Sequence, residues 1–241
     1  MKRKINRIRK FKYYFYKYGI HKILPGDKLI FLGHLSRLSK WISENKNLGF
    51  TDFPTKNFNY QNRFELFKYV IDKEIKDEAV DYLEFGVSTG ASFRWWAEHL
   101  TNPNTKLFGF DTFTGLPEDW GPFKAGAMSN GNKPPEMNDD RCSFYQGIFQ
   151  KTLYDFLKTY QSDKKKIIHL DADLYSATLF VLTMMSPYLN PGDIIFFDEF
   201  NVPMHEYKAL KEWTEAFYPE YEVLGEVNNY YQLAIKVTRV N

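Results

Sequence analysis

Residues 164–180, KKKIIHLDADLYSATLF, decide the fold. KIIHLD reads as a short apolar strand, and SATLFVLTMMSPYL reads as a helix that stops at the turn NPGD, so a strand passes almost directly into a helix. The strand closes on two carboxylates one residue apart, Asp171 and Asp173. A second apolar run, DIIFFDEF (193–200), closes the same way on Asp198 and Glu199. Outward from this unit the alternation continues. NRFELFKYVIDKEI (62–75) places Phe64, Phe67, Val70 and Ile71 on one helical face, and AVDYLEF (79–85) reads as a strand. ASFRWWAEHL is a helix, KLFGFD and CSFYQG are strands, and TLYDFLKTY and EYKALKEWTEAF are helices. YEVLGEV and YQLAIKVTRV, joined by NNY, read as a closing hairpin. Strands alternating with helices predict a doubly wound α/β domain, mostly parallel, with antiparallel pairing confined to the C-terminal hairpin. In such a sheet the ligand lies beyond the carboxyl ends of the strands, which is where these acids sit.

The rest of the composition narrows the class. The chain has 241 residues, enough for one sizeable core, and 18% of them are aromatic. A single cysteine, Cys142, excludes an internal disulfide and a cysteine zinc site and fits a reducing, cytoplasmic compartment. No apolar run approaches the ~20 residues that span a bilayer, and the charged N-terminus lacks a signal-peptide core. The net charge of +2 conceals an asymmetry: residues 1–48 carry 13 Lys/Arg against two acids, and the remainder 19 against 28. Residues 1–55 are therefore expected to be a basic aromatic arm, and 56–241 an acidic catalytic domain, divided at the turn-rich NLGFTDFPTKNFNY. Such an arm suits an anionic membrane surface, nucleic acid, or the acidic body of the same or a neighbouring copy in a homo-oligomer.

The first strand runs into LEFGVSTGAS, an E-x-G-x-x-x-G turn formed by Glu84, Gly86 and Gly90. Glycines there allow a ligand close to the backbone, while the missing G-x-G-x-x-G pattern disfavours a pyrophosphate cofactor. The second strand ends at Asp111, 21 residues beyond Gly90. An acid at that distance is placed to accept the hydroxyls of a ribose, so the two motifs together point to an adenosine-containing ligand.

YLEFGVSTGAS, FGFDTFTGLPEDW, QGIFQKTL and IHLDADLYSATLFVLTMMSPYLNPGDIIFFDEF, taken in order, resemble the macrocin O-methyltransferase family of class I S-adenosylmethionine (SAM) enzymes, over roughly residues 60–215. The resemblance implies a Rossmann-like methyltransferase sheet and O-methylation of a sugar or other polyhydroxylated small molecule with a divalent metal. It implies that Gly86, Ser88 and Gly90 line the methionine part of SAM, that Asp111 holds the ribose, and that Thr112, Phe113, Gly147 and Ile148 border the adenine. Asp171 and Asp198, ending neighbouring strands, with Glu199 beside them, would offer hard oxygen ligands suited to Mg²⁺, which can lower the pKa of a substrate hydroxyl. The family has a second aspartate where this chain has Glu199.

For the general base, catechol-type relatives carry a lysine where this chain has Leu174. Asp173, beside the metal acid Asp171, and His205 in NVPMHEY are the candidates; His169, inside an apolar strand, reads as a core residue. The long Gly/Pro/Asn-rich stretch between Gly115 and Arg141 reads as a lid, with Trp120, Phe123 and Met128 over the substrate. Two other readings remain: an RNA methyltransferase using the arm, disfavoured by the acidic catalytic region, and a peripheral membrane or partner-binding module on an inherited fold.

Overall fold

A computed structural model describes residues 2–119 and 122–240. The elements, in chain order, are α1 (Lys2–Lys17), α2 (Gly26–Glu44), α3 (Asn62–Val70), β1 (Val80–Phe85), α4 (Ala91–His99), β2 (Lys106–Asp111), β3 (Cys142–Gln146), α5 (Phe149–Leu157), β4 (Lys165–Leu170), α6 (Tyr175–Met185), β5 (Ile194–Phe197), α7 (Glu206–Phe217), β6 (Glu220–Val227) and β7 (Gln232–Arg239). The seven strands form one sheet in the order β3-β2-β1-β4-β5-β7-β6. β1 to β5 are mutually parallel and β7 joins β5 antiparallel, so the C-terminal pair is the hairpin that its NNY turn predicts. Among the described residues no helix is long and apolar enough to cross a membrane.

The period-two alternation of strand side chains divides the core. Leu83, Phe85, Ile168 and Leu170 face α5, α6 and α7, whose Leu153, Phe156, Val181, Leu182, Leu210 and Trp213 cover them. Tyr82, Ile167 and Phe196 face the other way, onto Leu66, Phe67 and Val70 of α3 and Phe93 and Trp96 of α4. Glu84 and His169 therefore point to the α3 and α4 side, and the β1–β4 register sets them against each other. Strand order reverses between β1 and β4, and the Gly86 turn leaves the sheet there. Gly86 has φ +104°, and a Cβ on it would stand 1.7 Å from the Asp171 carbonyl oxygen; only glycine lets the two strand ends lie so close.

The N-terminal arm is helical, and its packing changes at Leu38. α1 buries no residue. From Leu38 onward the chain is tied to the body: the Trp41 indole donates to Tyr221 Oη at 3.0 Å and its ring lies 4.9 Å from that of Phe200. The Glu226 carboxylate accepts the N–H groups of Asp52 and Phe53, each at 3.1 Å, and of Tyr230 at 2.6 Å. Residues 38–55, assigned to the arm on composition, thus share the core and hydrogen bonds of the domain.

Candidate functional site

A cleft of about 770 Å³ opens over the carboxyl ends of β1, β2, β4 and β5. At one side the β1 turn and the end of β2 are joined by Asp111. Its two carboxylate oxygens accept the Ser88 N–H at 2.8 Å and the Phe113 N–H at 2.6 Å. Ser88 and Phe113 both have positive φ, which turns their amides inward onto that carboxylate. Of the residues expected at the cofactor, Gly86, Ser88, Asp111, Thr112 and Ile148 line the cleft. Four others stand behind it. Glu84 is fully buried, accepting the Ser92 hydroxyl and the Tyr82 hydroxyl, each at 2.5 Å, and burial pushes its carboxyl up to about 7. Gly90 caps α4 and faces Pro135, Phe113 is buried in the core, and the Gly147 N–H donates to the Asp111 carbonyl at 2.9 Å.

Across the cleft the acids gather at the ends of β4 and β5. The Asp198 N–H donates to the Leu170 carbonyl at 3.0 Å, so the two strand ends are adjacent. Two clusters of ligand-type atoms result, each within 4.8 Å: Asp171, Asp173 and Glu199, and His169, Asp171 and Asp198. The expected metal trio of Asp171, Asp198 and Glu199 is divided between them. Asp171, Asp173 and Glu199 face the cleft. Asp198 is fully buried and turned toward Arg63, whose Nη1 lies 3.5 Å from Asp198 and 3.6 Å from Asp171, and it accepts the Tyr60 hydroxyl. Arg63 also donates to Tyr60 Oη at 2.6 Å and is the one cationic side chain lining the cleft among the described residues.

Burial raises the carboxyls of this group. Asp171 is pushed well up by burial and by Asp198, and Glu199 by burial and then by Asp171 and Asp198. Asp173 rises to about 6 through burial and then through Asp198 and Asp111. For Asp198 the burial effect is opposed by Arg63 and by the Tyr60 hydrogen bond. Glu199 Oε2 is buried with no hydrogen-bond partner, as is Oε1 of Glu206, whose other oxygen accepts the Glu199 N–H at 2.9 Å. Asp171, Asp173 and Glu199, with one unpartnered carboxylate oxygen, offer an all-oxygen donor set whose chemistry fits Mg²⁺.

The candidate bases part company. Asp173 lines the cleft with φ +58°. His205, at the start of α7, is half-buried; its Nδ1 lies 3.0 Å from the Asp173 carbonyl, burial lowers its pKa, and it does not line the cleft. His169 is a core residue, bonded through Nδ1 to Tyr82 Oη at 2.8 Å and held to about 3 by burial. Between β2 and β3, Leu116, Pro117, Glu118, Phe123 and Met128 line the cleft, and the Ser176 hydroxyl donates to Glu118 at 2.9 Å across it. Trp120, expected in the lid, lies outside the described residues. Sequence reading missed Tyr60, Arg63, Glu206 and Tyr231. Arg63 did leave a signal: it shares a helical face with Phe67 and Val70, and a cation on a buried face needs an anion opposite.

Residues 83–200 match the family model of a methyltransferase domain. A mycinamicin III 3''-O-methyltransferase of Micromonospora griseorubida is 32% identical over 75 residues, a match that spans 29% of this chain and 28% of that protein. Among solved structures, the calicheamicin methyltransferase CalS11 superposes with a TM-score of 0.56 at 19% identity, covering 88% of this chain and 93% of that one. The O-methyltransferase NovP gives 0.57 at 17% identity, covering 88% and 99%. At these identities the structural likeness is one of fold: the sheet is the Rossmann-like sheet of SAM methyltransferases.

Proposed function

We propose that this chain, with a methyltransferase domain in residues 83–200, transfers the methyl group of SAM to a hydroxyl of a sugar or other polyhydroxylated small molecule, with Mg²⁺ at the acid cluster. The observation that carries this reading is that one cleft holds the Asp111 turn at one end and Asp171, Asp173 and Glu199 at the other. A carboxylate has about four lone-pair sites, and backbone amides take two of those on Asp111, leaving acceptors for the two hydroxyls of a ribose. Gly86 and Ser88 let the amino-acid end of the donor approach the β1 turn closely. A divalent ion held by Asp171 and Glu199, beside Asp173, would supply a Lewis acid that acidifies the acceptor hydroxyl. Asp173, in the cleft, is nearer to hand than His205 as the proton acceptor. Leu116, Phe123 and Met128 line the cleft and would shield the reacting centre from water once donor and acceptor are bound.

The sugar acceptor is supported by the names of the relatives, among them the TDP-rhamnose 3'-O-methyltransferase form of CalS11, which superposes at a TM-score of 0.53 and 20% identity over 85% of this chain. DTFTGLP and DADLYSAT support placing the chain with the macrocin-type enzymes. An acid-lined cleft with one arginine repels a phosphodiester chain, which argues against RNA as acceptor. The lone Cys142 agrees with a cytoplasmic location.

Titration calorimetry with S-adenosylhomocysteine (SAH) should show binding that Asp111→Ala weakens severely. Incubation with SAM, Mg²⁺ and a panel of free and nucleotide-linked sugars should yield SAH and a methylated sugar. Absence of any SAH binding to the folded protein overturns the proposal.

A further inference from the structure

The cleft leaves the N-terminal helices unexplained. α1 carries eight Lys/Arg in 16 residues and no acid. Ile5, Ile8, Phe11 and Phe15 recur at intervals of three and four along one side of it, with Lys4 and Lys12 among them, while Arg3, Lys10 and Lys17 fall on the opposite side and Arg7 at the boundary. Ile5, Ile8 and Phe11 are exposed, as are Tyr13, Tyr14 and Tyr16. Beyond the 3₁₀ turn at Ile20–Lys22, the first half of α2 exposes Leu29, Ile30, Phe31, Leu32 and Leu35. Among the described residues no cation of α1 has an ion-pair partner, so its charge is left for something outside the chain; Lys10 and Lys17 rest instead over Tyr14 and Tyr13.

We propose that α1 and the first half of α2 lie in the plane of an anionic phospholipid surface and seat the enzyme there. Three features select that occupant. Eight cations without an acid attract an anionic partner and repel the same helix of a second copy. Ile5, Ile8, Phe11 and Phe15 on one side, with the long stems of Lys4 and Lys12 able to carry their charges up to the headgroups, form an arrangement that sinks into the headgroup boundary. The exposed leucine, isoleucine and phenylalanine side chains of α2 gain nothing from an RNA backbone but do gain from acyl chains. At about 24 Å long and highly charged, α1 lies on a bilayer rather than crossing it.

The test is co-sedimentation of the full chain with vesicles of phosphatidylcholine alone and of phosphatidylcholine with an equal part of phosphatidylglycerol. Binding should require phosphatidylglycerol and fall as salt rises. It should weaken about fivefold for each cation removed, hence roughly 25-fold in Arg7→Gln/Lys10→Gln. Phe11→Glu/Phe15→Glu should abolish it at low salt, while SAH affinity and melting temperature stay at wild-type values, because α1 buries nothing in the domain. A chain that stays in the supernatant with anionic vesicles at low salt overturns the proposal, as does equal binding by the Phe11/Phe15 variant. Two other results also overturn it: a vesicle-free oligomer, seen by mass photometry, that this variant disperses, or binding to an RNA oligonucleotide without binding to vesicles.

Discussion

Arg63→Met should unbalance the acid cluster in a way that can be measured by pH. Arg63 faces Asp198 at 3.5 Å and Asp171 at 3.6 Å, with Asp198 fully buried, and methionine keeps much of the stem volume while removing the charge. Stripping one partner from a buried ion pair costs about 3–5 kcal/mol. A second route to the number agrees. The bereft Asp198 can take up a proton instead, and holding a carboxyl of ordinary pKa 3.8 neutral costs about 1.4 kcal/mol for each unit of pH above that value. That sets a ceiling of roughly 4 kcal/mol at pH 7 and about 2 kcal/mol near pH 5.5. With an unfolding entropy of about 2.1 cal/mol/K per residue, the 241-residue chain loses about 2 °C in melting temperature per kcal/mol, so the variant should melt roughly 6–8 °C low near neutrality.

The direction with pH follows from proton counting. A carboxyl whose folded pKa is raised holds a proton in the folded state that the unfolded state has already released, so stability falls as pH rises from the unfolded to the folded pKa. Wild type should already show this, since Asp173 is raised to about 6, Glu84 to about 7, and Asp171 and Glu199 are pushed well up by burial. Arg63→Met should show it strongly: its deficit should widen from about pH 5 to about pH 8 and shrink when Mg²⁺ is added. Arg63→Lys, which keeps the charge but not the fork, should fall between. Thermal denaturation across that range decides the matter. A deficit within about 2 °C of wild type at the alkaline end, or one that grows toward acid, would refute the claim that Arg63 neutralises these carboxylates.

Glu199→Gln should leave SAH affinity within about twofold while removing most of the Mg²⁺-induced rise in melting temperature, because it deletes the charge whose oxygen lacks a partner. Gly86→Ala should give little soluble protein and no SAH binding in what remains, since its Cβ collides with the Asp171 carbonyl at a φ of +104°. Trp41→Ala should lower stability by about 2–3 kcal/mol by differential scanning fluorimetry, through loss of ring packing on Phe200 and of the Tyr221 hydrogen bond. An arm independent of the domain up to residue 55 would show no such change. Asp173→Asn should reduce methyl transfer about 10²- to 10⁴-fold with SAH binding intact, whereas His205→Gln should cost less than tenfold; the reverse order in steady-state kinetics would make His205 the base.

The sheet was legible because its signal is local: apolar runs of strand length, each ended by a turn former and followed by a helical period, fix both the element and which end carries the ligand. Asp111 was legible for the same reason, since its distance from the glycine turn is set by one helix and one strand. Legibility stops where strand alternation stops. Beyond Leu170 the side-chain direction depends on the turn, and Asp173 sits at φ +58°, which brings it beside Asp171 and Glu199 instead of leaving it as a helix cap. Asp198, read as a metal ligand, turns away to Arg63, a residue 135 positions earlier whose approach depends on how α3 packs on the sheet. The loop residues Leu116, Pro117 and Glu118 reach the cleft through backbone bonds such as Leu116 N–H to Ala127 and Asn130 N–H to Phe113, which no periodicity encodes. Periodic segments thus determine where a cavity will open, whereas its charge balance is set by irregular turns and by one distant helix. For that reason Arg63, whose only mark in the sequence is its place on a buried helical face, supplies the positive charge beside Asp171 and Asp198.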